Sequence, residues 1–316
     1  MLRFGILGCA RICRRDMIPA IQAAPGIELA AIASRRAGEA AKWAAEFAIP
    51  RSYESYEAIL ADPGIDAVYL PLANEQHKPW VLAAAAAGKH VLCEKPLALD
   101  AEEAEEMASG CRRAGVMLME AFMWRHHPWV AAAHEIIQSG RIGELRLIKM
   151  DFSFTIQPGE WRLDPARGGG ALFDLGCYGI NLSRLFAGGE PTEIFARSRM
   201  GETGVDLTTA MILRFGNSVT ALLDCSFECR DRNRIELVCT NGSLELPHGV
   251  LPPEEAEMII TTDEGQETKR FAKAHQFVGE LLAFATGIKE GRLPAPAEDG
   301  RANMRVLEAV KQQAWK

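Results

Sequence analysis

Apolar and polar residues follow two different patterns along the 316-residue chain. Up to about residue 120, short apolar runs alternate with longer stretches of helical periodicity, which predicts a parallel sheet with crossover helices on both faces. The predicted strands are Leu2–Leu7, Ile27–Ala33, Ala67–Leu70, His90–Cys93 and Val116–Met119. The predicted helices between them are Arg11–Ala24, Arg36–Phe47, Tyr56–Leu60, Pro79–Ala87 and Ala101–Ala114.

Strand patterns dominate the rest of the chain. Asn217 after Gly216, and Asn241-Gly242, are typical of hairpin turns, so the second sheet is predicted to be largely antiparallel. Its predicted strands are Glu144–Phe154, Glu193–Arg199, Thr208–Phe215, Ser218–Phe227, Arg234–Cys239, Ser243–Leu246 and Met258–Thr262. The predicted helices here are Pro128–Ser139, Ala171–Phe186, His275–Glu290 and Asp299–Ala314.

These patterns predict the fold class α/β with two domains. Residues 1–121 are expected to form a doubly wound parallel sheet of the Rossmann type. Residues 122–316 are expected to form an α+β domain on a largely antiparallel open sheet, with the option that the final helix packs back on the first domain.

Composition narrows the functional classes. The formal charge of −7 argues against a broad nucleic-acid surface, which needs clustered Lys and Arg. The eight cysteines form no CxxC pair and no metal-finger spacing, so we expect reduced thiols in a cytoplasmic protein and no metal site. No apolar stretch reaches the roughly 18 residues of a membrane span, and the N-terminus runs directly into a strand. A membrane or secreted protein is therefore not expected.

The turn after the first strand resembles a dinucleotide fingerprint. Gly8 holds the first small position, whereas Ala10 and Cys13 replace the second and third. The glycines of this motif let the backbone approach a pyrophosphate at a helix N-terminus. Alone, the pattern fits any tight turn between strand and helix, but its place at the first βα junction favours cofactor binding. The predicted contacts are Gly8, Cys9, Ala10, Arg11 and Ile12.

The end of the second strand carries Ser34, Arg35 and Arg36. Proteins that prefer NAD usually place an acid here, whereas arginine suits the 2′-phosphate of NADP. The alternative is that both arginines are solvated charges at a helix start, where positive charge is slightly unfavourable. We therefore predict NADP as the cofactor, with NAD possible.

Two further turns follow strands at the sheet edge where ligands of open α/β sheets bind. One carries Pro71, Leu72, Asn74 and His77, and the other carries Glu94 and Lys95 before Pro96. The predicted cofactor contacts in these turns are Pro71, Leu72, Asn74, His77, Glu94 and Lys95. The alternatives are Asn74 as a helix cap, His77 as a first-turn histidine and Lys95 as a surface lysine.

A further candidate site lies in the second domain. Gly168, Gly169 and Gly170 run into a predicted helix, and Asp174 and Tyr178 are four residues apart on one face of it. An acid and a phenol on one face can hold a hydroxylated substrate and move a proton. From spacing alone, a buried tyrosine hydrogen-bonded to the aspartate is equally consistent.

Taken in order, these motifs resemble those of the Gfo/Idh/MocA oxidoreductases. The motifs are GILG at Gly5, EKP at Glu94–Pro96, EAFMWRHHP at Glu120–Pro128 and GGGALFDLGCY at Gly168–Tyr178. The resemblance covers nearly the whole chain. It is closest to the branch of D-xylose 1-dehydrogenases, dimeric dihydrodiol dehydrogenases and nucleotide-sugar ketoreductases.

The resemblance implies roles for matching positions. Lys95 matches the lysine near nicotinamide and substrate, Tyr178 the acid/base position, and Asp174 the acid that orients substrate and catalytic group. These three are the predicted catalytic residues. The segments that line the substrate pocket in this branch contain Arg125, His126, Trp161 and Arg162, which are predicted substrate contacts together with Asp174 and Tyr178.

The expected function is an NADP-dependent dehydrogenase or reductase acting on CH–OH groups of a cyclic sugar or polyol, most like a D-xylose (aldose) 1-dehydrogenase. The alternatives are a ketoreductase of a nucleotide-linked keto-sugar, a dihydrodiol dehydrogenase, and a catalytically silent NADP(H)-binding sensor. The expected partner is a small-molecule substrate, with no nucleic acid and no membrane. Because an open sheet face needs cover, a homodimer or homotetramer through the second-domain sheet is also expected.

Overall fold

The computed structural model describes residues 1–253, 255–272 and 274–315. The chain divides into a first unit, Met1–His126 with His275–Met304, and a second unit, His127–Ala274 with Arg305–Lys316. The first unit therefore extends past residue 121 and takes in a segment that the sequence analysis gave to the second domain. Packing explains that addition, because Phe284 is fully buried with its ring centroid 5.8 Å from that of Phe4.

Helices occur in both units, and their bounds follow in chain order: α1 Ile18–Ala23, α2 Glu39–Phe47, α3 Tyr56–Leu60, α4 His77–Ala86, α5 Ala101–Ala114, α6 Pro128–Gln138, α7 Cys177–Ala187, α8 Gln276–Glu290 and α9 Ala297–Ala314. Helix α5 shows how local chemistry sets these bounds. Asp100 accepts a hydrogen bond from the Glu103 amide at 2.8 Å, and Gly115 ends the helix in the left-handed conformation.

The sheet of the first unit has six parallel strands in the order β3-β2-β1-β4-β5-β6. This order reverses direction between β1 and β4, as in sheets that bind dinucleotides at that point. The predicted Rossmann sheet is confirmed. Its strands are β1 Leu2–Leu7, β2 Ile27–Ala33, β3 Arg51–Tyr53, β4 Ala67–Leu70, β5 His90–Glu94 and β6 Leu118–Ala121.

The second unit is built on an eight-stranded sheet in the order β14-β13-β12-β11-β7-β10-β9-β8. Its pairs are antiparallel except β7 with β10, which confirms a largely antiparallel sheet. The strands are β7 Leu145–Ser153, β8 Pro191–Met200, β9 Asp206–Phe215, β10 Thr220–Ser226, β11 Arg232–Cys239, β12 Gly242–Leu246, β13 Ala256–Thr262 and β14 Gly265–Phe271.

One face of this second sheet packs against α7. Gly179 on α7 lies over β10, where a Cβ on the glycine would be 3.3 Å from Leu223. On β9, Met211 and Leu213 are buried while Ile212 between them is exposed, as the period of two requires. Helix α7 is therefore a central helix of the unit, and side chains near its start are held by the core.

All eight cysteines fall among the described residues and are free thiols. Of the helices in those residues, none has both the length and the apolar character needed to cross a membrane. Likewise, the described ranges contain no group of three or more His, Cys, Asp or Glu side chains arranged to hold a metal ion.

Candidate active site

A tight turn joins β1 to the first helical segment. Gly8 there has φ of +119°, and a Cβ on it would lie only 3.0 Å from Leu72 Cδ2. Its amide donates to Ala33 O on β2 at 2.8 Å. Cys13 is fully buried with its thiol 3.9 Å from Gly8 O, and burial raises the pKa of that thiol. Glycine is thus required at position 8, and Cys13 is a neutral packing residue in the third position of the fingerprint.

The other residues of this turn lie at its exit. Cys9 and Ala10 precede the helical segment, which opens at Arg11 and Ile12 and passes through a π-helical turn, Cys13–Met17, into α1. Backbone amides at the start of a helix attract anions. All five residues predicted to contact a cofactor here therefore share one turn and one helix start.

Two guanidinium groups stand beside this turn. Arg36 donates to Cys9 O at 3.2 Å, and its amide donates to the hydroxyl of buried Ser34 at 3.1 Å. Arg35 lies over the ring of Tyr56, 5.1 Å from its centroid, and donates to the Gln76 side chain. These residues fit a dinucleotide that bears an extra phosphate, because Gly8 leaves room that a Cβ would fill and the arginines supply positive charge.

Tyr56 and Gln76 hold Arg35 in place, and the sequence analysis did not single them out. The Tyr56 hydroxyl would lie 3.3 Å from a Cβ on Gly8, which puts this side chain at the same turn. A tyrosine at the start of a short helix gives no signal of this in sequence, since the contact depends on chain folding over a long separation.

The turns after β4 and β5 are tied together by His77. Its ring is fully buried, with Nδ1 3.1 Å from Pro96 O and Nε2 3.1 Å from Leu72 O. Burial lowers the pKa of His77, so the ring is neutral. Among the other predicted contacts in the first of these turns, Pro71 and Asn74 are buried. His77 therefore fixes the shape of both turns through their backbone carbonyls.

Glu94 and Lys95 occupy the end of β5, half-buried. The buried Tyr69 hydroxyl donates to Glu94 Oε1 at 2.5 Å, and the Lys95 amide donates to Glu94 Oε2 at 3.3 Å. Burial, and then the negative charge of Glu94, raise the pKa of Tyr69 well above its usual range. Lys95 thus follows an anchored carboxylate at the sheet edge where ligands of this fold bind.

Glu280 on α8 is a second acid in this part of the first unit that the sequence analysis missed. It is fully buried, and burial followed by the charge of Glu94 raises its pKa well above the usual range. The sequence signal is an acid within the apolar stretch between Phe277 and Phe284. Burial therefore disfavours the charged form of the Glu280 carboxyl group.

Arg125 and His126 belong to the first unit, in a short turn at Met123–His126. Arg125 forms an ion pair with Asp299. Burial, and then the positive charge of Arg125, lower the pKa of His126 to about 4. The structure therefore places these two predicted substrate contacts in a different unit from Trp161, Arg162, Asp174 and Tyr178.

In the second unit, an ion pair joins two predicted substrate contacts. Arg162 Nε donates to Asp174 Oδ2 at 2.9 Å, and the charge of Asp174 raises the pKa of Arg162. The Arg162 guanidinium also lies over the Trp161 ring, 4.8 Å from its centroid, and Arg167 lies 5.5 Å from the same ring. The structure thus brings three of the predicted substrate residues together.

The glycine run lets the chain fold back so that Arg162 and Asp174 come together. The Gly170 amide donates to Arg162 O at 2.9 Å, and a Cβ on Gly169 would lie 2.8 Å from Asp164 O. Gly170 has φ of +121°, which side chains rarely adopt. The chain therefore folds tightly over the backbone of Arg162 before it enters the helix.

Tyr178 lies on α7, directly after a second π-helical turn, Leu172–Gly176, that contains Asp174. Its side chain is 5% exposed, and its ring meets Phe152 of β7 edge-on with centroids 5.6 Å apart. Such π-helical turns inside helices are frequent at functional sites. The acid and the phenol predicted from spacing are therefore both buried at the start of the central helix of the unit.

A depression of about 800 Å³ lies elsewhere, on the open face of the eight-stranded sheet. Its lining includes Phe195, Ile212, Leu222 and Arg232 and none of the predicted site residues.

The fold and these residues define a class. A parallel sheet with this strand order, a glycine-dependent turn after its first strand and two arginines after its second are typical of a dinucleotide-binding domain. Residues 2–122 match the family model described as oxidoreductase family, NAD-binding Rossmann fold, and residues 130–245 match the GFO/IDH/MocA C-terminal domain. The chain belongs to the Gfo/Idh/MocA family.

Three similar proteins differ in their named activities. The chain is 39% identical to D-xylose 1-dehydrogenase (NADP(+)) 2 of Haloferax volcanii, over 99% of this chain and 97% of that protein. It is 36% identical to the mouse (Mus musculus) trans-1,2-dihydrobenzene-1,2-diol dehydrogenase, over 80% of this chain and 77% of the relative. The crystal structure of KijD10, a 3-ketoreductase from Actinomadura kijaniata in complex with NADP and TDP-benzene, superposes with a TM-score of 0.93 at 33% identity, covering 99% and 98% of the two chains.

Proposed function

We propose that this protein is an NADP-dependent oxidoreductase that moves a hydride between nicotinamide and a carbinol or carbonyl carbon of a cyclic sugar or polyol, most like a D-xylose 1-dehydrogenase. The observation that carries the proposal is the partly buried ion pair of Arg162 with Asp174, an acid in the helical segment that also presents Tyr178. The xylose dehydrogenase relative, which matches nearly the full length of this chain, supports the substrate class.

Tyr178 is the proposed acid/base. Its hydroxyl would exchange a proton with the reacting hydroxyl of the substrate. A free tyrosine has a pKa of about 10, too high for an efficient base at neutral pH. A positive charge favours the phenolate and lowers that value, and Lys95 is the proposed source of the charge.

Asp174 and Arg162 are the proposed positioning pair for substrate hydroxyls. A carboxylate accepts hydrogen bonds from two hydroxyls of a sugar, and a guanidinium donates to a third. The ion pair fixes both side chains before substrate binds, which reduces the entropy lost on binding. Trp161 offers an aromatic face beside them for the apolar side of a sugar ring.

The first unit is the proposed cofactor site. Gly8, Cys9, Ala10, Arg11 and Ile12 would hold the pyrophosphate, and Ser34, Arg35 and Arg36 would hold the ribose with its 2′-phosphate. Pro71, Leu72, Asn74, His77, Glu94 and Lys95 would form the nicotinamide end, with His77 acting through the backbone of the two turns that it joins. When bound, the nicotinamide supplies or accepts the hydride.

A keto-sugar reductase is the second candidate, favoured by the KijD10 likeness. Both reactions need the same proton transfer at Tyr178, because reduction of a ketone is the reverse of oxidation of a carbinol. A dihydrodiol dehydrogenase is the third candidate, through the mouse relative. A silent NADP(H)-binding sensor would need only the fingerprint turn and not Asp174, Arg162 and Tyr178 together.

We also infer that two copies associate through the second sheet. Phe195 on β8 is 51% exposed, and Ile212 and Leu222 on the neighbouring strands are 39% and 38% exposed on the open face. An exposed apolar patch on a sheet face favours association. Light scattering should show a dimer or tetramer at micromolar concentration, and a monomer would contradict this inference. We place the protein in the cytoplasm, where its eight free thiols would stay reduced.

A screen of nicotinamide reduction tests the proposed function. Purified protein would be given NADP⁺ or NAD⁺ with pentoses, hexoses, inositols and cyclic diols, and NADPH with keto-sugars for the opposite direction. The proposal predicts turnover with at least one sugar and a preference for NADP⁺. Tight NADPH binding without turnover in either direction would favour the sensor instead.

A further inference from the structure

A buried carboxyl group lies beneath the glycine turn of the second unit. Asp206, the first residue of β9, is fully buried. Its Oδ2 accepts a hydrogen bond from the Leu172 amide at 2.8 Å and another from the Thr209 hydroxyl at 2.6 Å. Thr209 is itself held by Ser198, with the two hydroxyl oxygens 2.6 Å apart. Asp206 therefore connects the start of β9 to the first residue of the π-helical turn Leu172–Gly176.

The second carboxyl oxygen faces the glycine run. Within the described residues Asp206 Oδ1 is buried and has no hydrogen-bond partner, and a Cβ on Gly170 would clash with it. Position 170 also requires glycine, because residues with a side chain rarely adopt its φ of +121°. The carboxyl group and the turn therefore fit together closely, and neither can change size without moving the other.

The turn that Asp206 contacts leads directly into the segment that contains the proposed catalytic residues Asp174 and Tyr178. The Asp174 amide donates to Gly170 O at 3.0 Å, and Gly170 is the residue against which Asp206 packs. Leu172 lies two residues before Asp174, and Tyr178 follows on α7. A shift of the Gly170–Leu172 backbone would therefore move Asp174 first and then the helix start that carries Tyr178.

The charge of Asp206 is set by the elements around it. Burial raises the pKa of Asp206 to about 6, against the lowering effect of the bonds from Thr209 and Leu172. Lys311 on α9 contributes a weaker lowering effect, and the Cys225 thiol on β10 faces Asp206 with a pKa raised well above its usual range. Asp174 is the other acid of the adjoining turn. Asp206 is thus ionised at neutral pH and becomes protonated in mild acid.

We propose that Asp206 is a positioning residue for the reaction, whose ionised carboxylate clamps the Gly170–Leu172 turn and so holds Asp174 and Tyr178 in their working orientation. The inference rests on the proposed function. A charged acceptor makes stronger hydrogen bonds than a neutral one, and a negative charge is favoured where a helical segment begins. Protonation of Asp206 therefore loosens the clamp.

Two variants and a control test the clamp. Asp206→Asn keeps the shape of the side chain without its charge, and Thr209→Val removes one hydrogen bond and keeps the carboxylate. The control is Asp263→Asn, a substitution at an exposed aspartate in the β13–β14 hairpin. For the wild type we expect kcat to fall in acid with an apparent pKa of about 6. Asp206→Asn should lower kcat at neutral pH about tenfold or more and abolish that acid limb, with the KM for NADP⁺ changed less than about twofold.

Thr209→Val should move the acid limb to higher pH, because the Thr209 hydroxyl lowers the pKa of Asp206. Asp263→Asn should match the wild type in all three quantities. A role in folding alone would lower the yield or melting temperature without moving the limb. The proposal is overturned if Asp206→Asn keeps both the wild-type kcat and the wild-type acid limb.

Hydrogen exchange separates this proposal from the proposed function. The Leu172 and Asp174 amides should exchange slowly in the wild type and at least about tenfold faster in Asp206→Asn at neutral pH. If the wild type shows no turnover but these amides lose protection in the variant, the proposed function fails and the clamp stands. If turnover is present and protection is equal in both proteins, the clamp fails and the proposed function stands.

Discussion

Arg162 donates a hydrogen bond to Asp174 across a separation of twelve residues, and the intervening chain folds back through three glycines to allow it. The side chains are 29% and 12% exposed, so the charges are largely shielded from water. This ion pair lies in the second unit, where Asp174 shares a helical segment with Tyr178. Spacing alone predicted only an acid and a phenol on one face of a helix. The ion pair defines the partner that holds the acid, Asp174, in the folded protein.

Loss of the arginine should impair catalysis and leave cofactor binding unchanged. Arg162→Met would leave Asp174 without this partner at a cost of about 2 kcal/mol. We expect a fall in kcat/KM for the sugar of at least about tenfold with unchanged NADP⁺ binding. Arg167→Ala is the control, since it removes a guanidinium from the same Trp161 ring and leaves the Arg162–Asp174 pair in place. Steady-state kinetics of the two variants should differ clearly; equal losses would contradict the role of the pair.

The glycine run should tolerate no added side chain. Gly169→Ala would place a Cβ against the backbone carbonyls of Arg162 and Asp164, and overpacking of this kind costs roughly 1–3 kcal/mol. Gly189→Ala is the matched control, because nothing lies within 4 Å of its Cβ. Urea unfolding should show a lowered midpoint for the first variant alone. Equal midpoints would mean that the turn can relax.

The arginine stacked on Tyr56 should decide between the two cofactors. Arg35→Ala removes a positive charge beside the fingerprint turn, so we expect NADP⁺ to bind at least about tenfold more weakly while NAD⁺ binding changes little. Calorimetric titration with both cofactors measures the ratio. Arg15→Ala, which removes an exposed arginine paired with its neighbour Asp16, should leave the ratio as in the wild type. An unchanged ratio in Arg35→Ala would remove the NADP assignment.

Asp206 should make stability and activity respond oppositely to pH. Its pKa is about 6 in the folded protein against 3.8 for an unperturbed aspartate, so the folded state binds the proton more tightly. That contribution to stability is fully present below about pH 4 and is lost as the pH rises through about 6, a change of about 3 kcal/mol. The difference in unfolding free energy between the wild type and Asp206→Asn should follow this course in urea titrations. A difference that stays constant with pH would show that Asp206 does not titrate there.

Three strands of the first sheet are predictable from sequence to the residue. β1, β2 and β4 have the predicted bounds, because strands covered on both faces are mainly apolar, with Arg3 in β1 and Glu28 in β2 as the charged exceptions. β3 has three residues, too few for a pattern, and β14 is polar and exposed apart from Phe271, so neither was predicted. The strand predicted at Val116–Met119 begins instead at Leu118, since the Val116 amide still bonds back to Cys111 O at 3.0 Å.

The candidate site was only partly predictable. Asp174 and Tyr178 follow from their spacing and the resemblance, and the glycine run from its sequence. The π-helical turn at Leu172–Gly176 did not, because apolar periodicity does not separate a single wide turn from an α-helix. Asp206 could not be predicted either, since the Leu172 amide that bonds to it lies 34 residues away along the chain. Arg125 pairs with Asp299, a long-range contact of the same kind.

Deuterium transfer tests the central claim most directly. A sugar that turns over, deuterated at the reacting carbon, would be given to the wild type and to Tyr178→Phe with NADP⁺, and the reduced cofactor would be analysed by mass spectrometry. We expect one deuterium in the NADPH formed by the wild type. For Tyr178→Phe we expect normal NADP⁺ affinity with turnover lower by at least about a hundredfold. NADPH without deuterium, or near-normal turnover in Tyr178→Phe, would contradict hydride transfer assisted by this tyrosine.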